Sequence, residues 1–374
     1  MVTAILPLVV ILILTAGLIY LFGEYIAWIY LDEASSRGES AVWLKTDGYL
    51  DKLFTGIEKI IYRLIGLDPE YESNWLGYLT SLLLFNLLLF ILIYLIFAFQ
   101  GYLPLNPLNL EGMSWDLAYH TASTFTANTN QQHYGGEILS YFSQIFGVGL
   151  AMFLSAATGL ALAPAFTRGI INEEEEKLGN FFRNVVKGTV RFLLPLALLL
   201  ALFLISQGAP QWFGGEIVAE TLEGVEQTIR RGPVAGIEAI KMIGTNGGGY
   251  FAANAAHPYE NPTIMSNVVL NLVMLAVPIA VIYAFGVWIG KRRHGVILIT
   301  ALFVIFLGLL GLSVWGEGQP NQGVMRAEGE VAVDQAMGNM EGKEVRFGTE
   351  LSALWAVSTT ASPPVHRHSK QYPN

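Results

Sequence analysis

The residues that could do chemistry in this chain are concentrated in three stretches rich in small, neutral, oxygen-bearing side chains. They read DLAYHTASTFTANTNQQHYGGE at 116–137, GIEAIKMIGTNGGGYFAANAAHP at 236–258 and ELSALWAVSTTASPP at 350–364. In each, a short and moderately apolar segment runs into Thr, Asn, Ser or Gly. Thr and Asn offer neutral oxygens, and glycine lets backbone carbonyls come close to a ligand. A short helix ending at such a loop adds the partial negative charge of its C-terminus. The chemistry implied is capture of a dehydrated monovalent cation by carbonyl and side-chain oxygens. No carboxylate lies between Thr124 and Gln132 or between Thr245 and Ala256, so tight divalent binding is not required.

The elements that must hold these loops are set by composition. Of the 374 residues, 53% are hydrophobic and 14% charged, against roughly 25% charged in soluble domains. Charge-free runs cover Ala4–Phe22, Asn74–Leu110, Ile138–Thr167, Phe192–Gly215, Asn261–Gly290 and Gly295–Gly316. Each is long enough to cross a bilayer core as a helix, which takes about 20 residues. The sequence therefore predicts an all-α polytopic membrane protein with at least six spans. The first run lacks a basic n-region and a cleavage signature, and is expected to be a retained helix. There is no cysteine, which removes disulfides, thiolate metal sites and cysteine nucleophiles.

Orientation follows Lys and Arg in the loops. The 31–73 connection carries Arg37, Lys45, Lys52, Lys59 and Arg63, and the 168–191 connection Arg168, Lys177, Arg183, Lys187 and Arg191. Lys291, Arg292 and Arg293 fill the link near 290, whereas 99–137 has no basic residue. The N-terminus and the loops at 100–137 and 207–262 are expected outside, although Arg230, Arg231 and Lys241 weaken the contrast. Thr129, Thr245 and Thr360 recur with a period near 115, the signature of a repeated unit. That unit reads as span, re-entrant helix, polar loop, span.

Other motifs are weaker. Gly247–Ala252 matches G-x-G-x-x-A, but no acidic residue stands about 20 positions on and the next segment is a span. No G-x-x-x-x-G-K-[ST] occurs. A flexible linker remains an alternative for the glycine run, disfavoured by its recurrence. Asp116 and His120, at i and i+4, could form a metal or proton-relay pair, or simply solvate a helix start. His133 and His257 are expected near the outer vestibule, and Glu173–Glu176 on a solvated face or docking surface.

TLEGVEQTI, GPVAGIEAIKMIGTNGGGYFAANAAHPYENPT, GNMEGKEVRFG and SALWAVSTTAS resemble the channel-like A subunit of the bacterial Kdp potassium-transporting ATPase, a member of the superfamily of potassium transporters. The resemblance spans roughly residues 1–362. It implies four membrane–pore-helix–membrane repeats with flanking helices and filter loops facing the periplasm. It implies K+ as the bound ion, passed to a P-type ATPase B subunit, with a C subunit and a small F subunit in the complex. The chain itself has no D-K-T-G motif, so it is expected to be non-catalytic, with ATP hydrolysis on the partner. No nucleic acid is involved.

Residue by residue, the resemblance places K+-binding filters at Ala127-Asn128-Thr129-Asn130, Gly244-Thr245-Asn246-Gly247 and Thr359-Thr360-Ala361-Ser362. Relatives often show T-N-T-N-W-Q at the first, from which Ala127 and Gln131 depart. After Ser362 the pattern is lost to Pro363-Pro364 and VHRHSKQYPN. The expected organisation is an N-terminal span and cytoplasmic loop (1–73), a first repeat (74–167), a second (168–290), a partial third (291–362) and an aberrant tail (363–374). The fourth repeat is missing and the chain is expected to be truncated. A bacterial inner-membrane location with an extracytoplasmic N-terminus follows. The alternatives are a stand-alone Trk/Ktr-like cation-translocating subunit and an inactive fragment.

Overall fold

Long apolar stretches leave the backbone one open-chain solution at membrane depth, the helix, because lipid offers no partner for peptide groups. A computed structural model describes residues 2–31, 48–171, 177–321, 335 and 337–361. It contains six helices long and apolar enough to cross a bilayer. They are α1 (Val2–Ile29), α3 (Trp75–Ala98), α5 (Ser143–Ile171), α6 (Phe181–Ser206), α8 (Ile264–Trp288) and α9 (Arg292–Glu317). Between them lie α2 (Tyr49–Ile65) and three short helices, α4 (Trp115–Thr126), α7 (Val234–Ile243) and α10 (Gly348–Ala361). The order long, short, long occurs as α3–α4–α5 and again as α6–α7–α8, and α9–α10 starts it a third time. Among the described residues, strands are confined to two small antiparallel pairs, β1 (Ser73–Asn74) with β2 (Lys177–Gly179) and β3 (Ile217–Glu220) with β4 (Glu226–Ile229).

The core sits where the short helices meet the long ones. Ala118, Ala122 and Phe125 of α4, and Ala235, Ala239 and Ile240 of α7, are buried with Phe97 of α3 and Met152 of α5. α1 lies along α8, where Trp288 donates from Nε1 to the Ala27 carbonyl at 3.1 Å. By contrast α3 and α9 turn large apolar residues outward, among them Leu83, Leu87, Val304, Ile305 and Leu312. Such an outer face suits lipid and not water.

Two helices differ from their charge-free runs. α1 continues through Ile29 and so carries Glu24, which is buried. Tyr283 of α8 donates its hydroxyl to this carboxylate at 3.0 Å, and Arg292 of α9 donates from Nε and Nη2 at 3.1 and 3.2 Å. Arg292, read from sequence as a topology anchor, thus also joins three helices.

Likewise, α6 starts at Phe181 and not at Phe192, which places Arg183, Lys187 and Arg191 on the helix and not in a connection. Arg191 occupies a π-helical turn, Gly188–Leu193. Its guanidinium binds Glu58 through Nε and Nη2, Asp51 through Nη1 at 2.6 Å, and the Thr55 hydroxyl at 3.0 Å. It also sits over the Trp28 ring at 5.4 Å. α2 is thereby fastened to α6 beside the end of α1.

Removing one partner from a buried, hydrogen-bonded ion pair leaves the other charge stranded, at a cost of about 3–5 kcal/mol. Arg191→Leu is therefore expected to lower the thermal unfolding temperature in detergent sharply. Arg191→Lys, which keeps the charge but not the bidentate geometry, should fall between the two. An unchanged melting temperature for Arg191→Leu would show that the cluster is not structural.

Candidate cation-binding site

The three short helices end at or near the sequence-predicted loops. α4 stops at Thr126 and α7 at Ile243, and each hands the chain to a tight left-handed turn. Ala127 N donates to Ser123 O, Asn128 N to Phe125 O and Thr129 N to Thr124 O. In the second loop Gly244 N donates to Ile240 O, Thr245 N to Met242 O and Asn246 N to Lys241 O. Every bond of the first set has its counterpart 117 residues later.

Backbone handedness repeats with the same offset. Asn128 and Asn130 have φ of 58° and 53°, and Thr245 and Gly247 have φ of 48° and 79°, while Thr129 and Asn246 do not take positive φ. Alternation in the sign of φ turns successive peptide groups the same way, gathering N–H groups on one edge of the chain and leaving the carbonyls to the other. A carbonyl-lined edge is what a dehydrated cation requires. Non-glycine residues in the left-handed region cost about 1–3 kcal/mol each and persist only where their surroundings hold them. Asn tolerates that region better than most, so its presence at both left-handed positions of the first loop is physically sensible.

The two loops hold each other. The Asn246 amide, fully buried, donates from Nδ2 to Asn128 Oδ1, to the Met152 carbonyl at 3.2 Å and to Ser155 Oγ at 3.2 Å. Ser155 Oγ lies 2.7 Å from Asn128 Oδ1. Farther out, Gln132 donates from Nε2 to the Gly249 carbonyl at 3.0 Å and to Tyr134 Oη at 3.0 Å. Gln144, on the π-helical turn that opens α5, donates to both Gly136 O and Tyr250 O at 3.1 Å. Asn130 is fully buried, and neither its amide nitrogen nor its amide oxygen has a protein partner.

The glycine run also has a packing reason. A Cβ on Gly248 would come 2.5 Å from Gln132 Oε1 and 2.8 Å from the Asn130 carbonyl. On Gly249 it would come 2.5 Å from Glu260 Oε1. Glu260 is buried and accepts from Phe251 N and Ala255 N, both at 3.1 Å, which pins the outer half of the second loop. One turn before that loop, Lys241 and Glu238 form a fully buried ion pair of 2.7 Å. Lys241 therefore does not belong among the loop charges weighed for orientation.

The third site is placed differently from its sequence reading. Thr359, Thr360 and Ala361 are still helical, in the last turn of α10, and Ser362 lies outside the described residues, as do 363–374 and Glu173–Glu176. Thr360 is exposed and donates to the Ala356 carbonyl at 2.7 Å, while buried Thr359 accepts from Asn254 Nδ2 at 3.3 Å. The backbone offset between the first two loops is 117, not the 116 that separates Thr129 from Thr245, so these two threonines are not equivalent positions.

Of the remaining sequence candidates, Asp116 is exposed, while the His120 and His133 rings meet edge to face at 4.5 Å. Among the described residues no group of three or more His, Asp or Glu could hold a metal. His257 is half-buried. It stacks on Phe251 at 3.7 Å and accepts from Tyr259 N through Nδ1 at 3.1 Å. Sequence reading missed Glu238, Glu260, Gln144 and Ser155. An acid and a base three residues apart on an otherwise apolar segment was the available signal for the Glu238–Lys241 pair.

The comparisons with known proteins agree with one another. The family model described as Potassium-transporting ATPase A subunit matches residues 9–363. Curated relatives include the "Potassium-transporting ATPase potassium-binding subunit" of Halobacterium salinarum, 51% identical over 348 residues, covering 93% of this chain and 60% of the relative. The proteins of that name in Rhodospirillum centenum and Pseudomonas aeruginosa are 48% and 45% identical over 307 residues, covering 82% of this chain and 53% and 54% of the relatives. The chain thus spans between half and three-fifths of the length of these relatives.

Two outcomes follow from the geometry. Gly249→Ala forces a Cβ against Glu260 at a backbone angle of 137°, and is expected to cost about 1–3 kcal/mol, read as a lower melting temperature. Glu260→Ala should partly relieve the clash, so the two changes will be non-additive. Burial holds the His257 imidazole below its ordinary value, against the opposing pull of Glu260 and Glu344. Its neutral form therefore stabilises the fold above the ordinary value, and that contribution is lost as pH falls. Melting temperature should drop between about pH 7 and about pH 5, less so in His257→Gln, and equal drops would remove His257 as the cause.

Proposed function

Since the chain belongs to the potassium-transporting ATPase A subunit family, we propose that its two interlocked loops are parts of a potassium-selective filter in an ATP-driven uptake pump. The observation that carries this reading is the repeated cap. Two re-entrant helices end in the same hydrogen-bond pattern and the same alternation of handedness, and their loops are cross-linked through Asn128 and Asn246. Ala127-Asn128-Thr129-Asn130 and Gly244-Thr245-Asn246-Gly247 supply carbonyls that replace the hydration shell of K+, the transported ion. The C-terminal ends of α4 and α7 add partial negative charge. The end of α10, with Thr359, Thr360, Ala361 and Ser362, is the third contribution.

Selectivity in this arrangement comes from the number and field of the carbonyls and from how firmly they are held. Gln144, Gln132, Ser155 and Glu260 do the holding, and none of them needs to touch the ion. The loops face the extracytoplasmic side, as does the N-terminus, and the basic connections face the cytoplasm. The ion passes on to a P-type ATPase subunit of the same complex, the B subunit, which hydrolyses ATP. A C subunit and a small F subunit complete the assembly in the cytoplasmic membrane.

The test is uptake by the complete complex at limiting potassium. Gly247→Ala places a Cβ at φ 79°, a strain of about 1–3 kcal/mol that corresponds to a rise of roughly tenfold in the apparent KM for K+. Asn128→Ala should act in the same direction and reduce discrimination against Na+. Unaltered uptake kinetics in both variants would refute the filter assignment.

A further inference from the structure

The helix α2 has no part in the proposed filter, yet its surface is sharply divided. Asp51, Thr55, Glu58 and Tyr62 share one face, and the first three are bound by Arg191 of α6. Beside that face runs a stripe of exposed cations, Lys52, Lys59 and Arg63. The remaining face carries Leu53, Ile57, Ile60 and Leu64, and Ile60 and Leu64 are 59% and 80% exposed. Three surfaces on one helix need three different surroundings. The first is the body of the protein, and the third cannot be water for so many large apolar residues.

The placement of α2 identifies the other two. It lies at the end of the spans opposite the re-entrant helices, next to the β1–β2 pair that links the start of α3 to the region just after α5. Nearby, Arg168 at the end of α5 pairs with Glu72 at 2.8 Å. This is where α3 and α6 begin and α5 ends. An amphipathic helix there, apolar on one side and basic at the flank, has the composition of one lying in the interface plane. Both acids on its protein-facing side are already engaged by Arg191, so the charge it presents outward is positive.

We propose that α2 is an interfacial anchor whose apolar face enters the acyl region while Lys52, Lys59 and Arg63 bind anionic lipid headgroups. The inference is independent of potassium. Each basic residue near an anionic surface contributes about a fivefold change in association, falling off with salt.

The chain has no cysteine, so single cysteines carrying a nitroxide label can be placed at Ile60 and Lys59 without other changes. The protein is reconstituted in phosphatidylcholine vesicles containing phosphatidylglycerol. The label at residue 60 should be relaxed by oxygen in preference to a water-soluble nickel chelate, and that at residue 59 the reverse. The retained phosphatidylglycerol-to-phosphatidylcholine ratio should fall at least about fivefold in a Lys52→Gln, Lys59→Gln, Arg63→Gln variant. Nickel-accessible labels at residue 60 would overturn the proposal. So would shielding of residue 60 from both reagents, which means that a protein surface covers it. Equal lipid ratios in parent and variant would overturn the headgroup assignment.

Discussion

A helix that stops inside a bundle of apolar helices leaves carbonyls and N–H groups with no solvent to receive them, and this requirement organises the described part of the chain. α4 and α7 end only where other residues can take up the loose backbone. The helices close on themselves through matching caps, Gln132, Gln144 and Glu260 satisfy the backbone of the loops beyond, and Asn246 ties the second loop to the Met152 carbonyl of α5. Two of the long helices adopt π-helical turns, which carry Gln144 in one case and Arg191 in the other. The extra residue in such a turn re-aims a side chain, a use for which these distortions are known.

The spans were legible in the sequence because continuous apolarity over more than 20 residues has one reading in a chain of this composition. The short helices α4 and α7 were legible for the complementary reason, being apolar but too short to span. What was not legible is the pairing of charges. Glu24, Glu58, Arg191, Glu238 and Lys241 look like loop or helix-end residues when only their sequence neighbours are seen. Each is buried against a partner, and most of those partners are far away in sequence. Contacts of that separation leave no local period to read. The ends of the spans at Glu24 and Arg191 were placed too early or too late for the same reason.

The candidate site was half legible. Residue types marked the loops, but the spacing of Thr129 and Thr245 set the correspondence of the first two loops one residue out, because identity is a poorer guide than backbone conformation when loops diverge. Glu260 was invisible as a site residue, since its role is to accept from the amides of Phe251 and Ala255. Burying a carboxylate behind the second loop requires that its lone pairs be filled, and those amides do so.

The alternation of handedness in the two loops has a consequence for parity. Along such a backbone, odd and even positions have different duties, so a slip of one residue exchanges left-handed for right-handed positions throughout. An insertion or deletion of a single residue between Ala127 and Asn130, or between Gly244 and Gly247, would invert the loop's stereochemical phase, whereas two residues would restore it. Changes in loop length here are thus constrained by evenness and not by size alone, much as a one-residue slip in a strand turns every side chain to the opposite face.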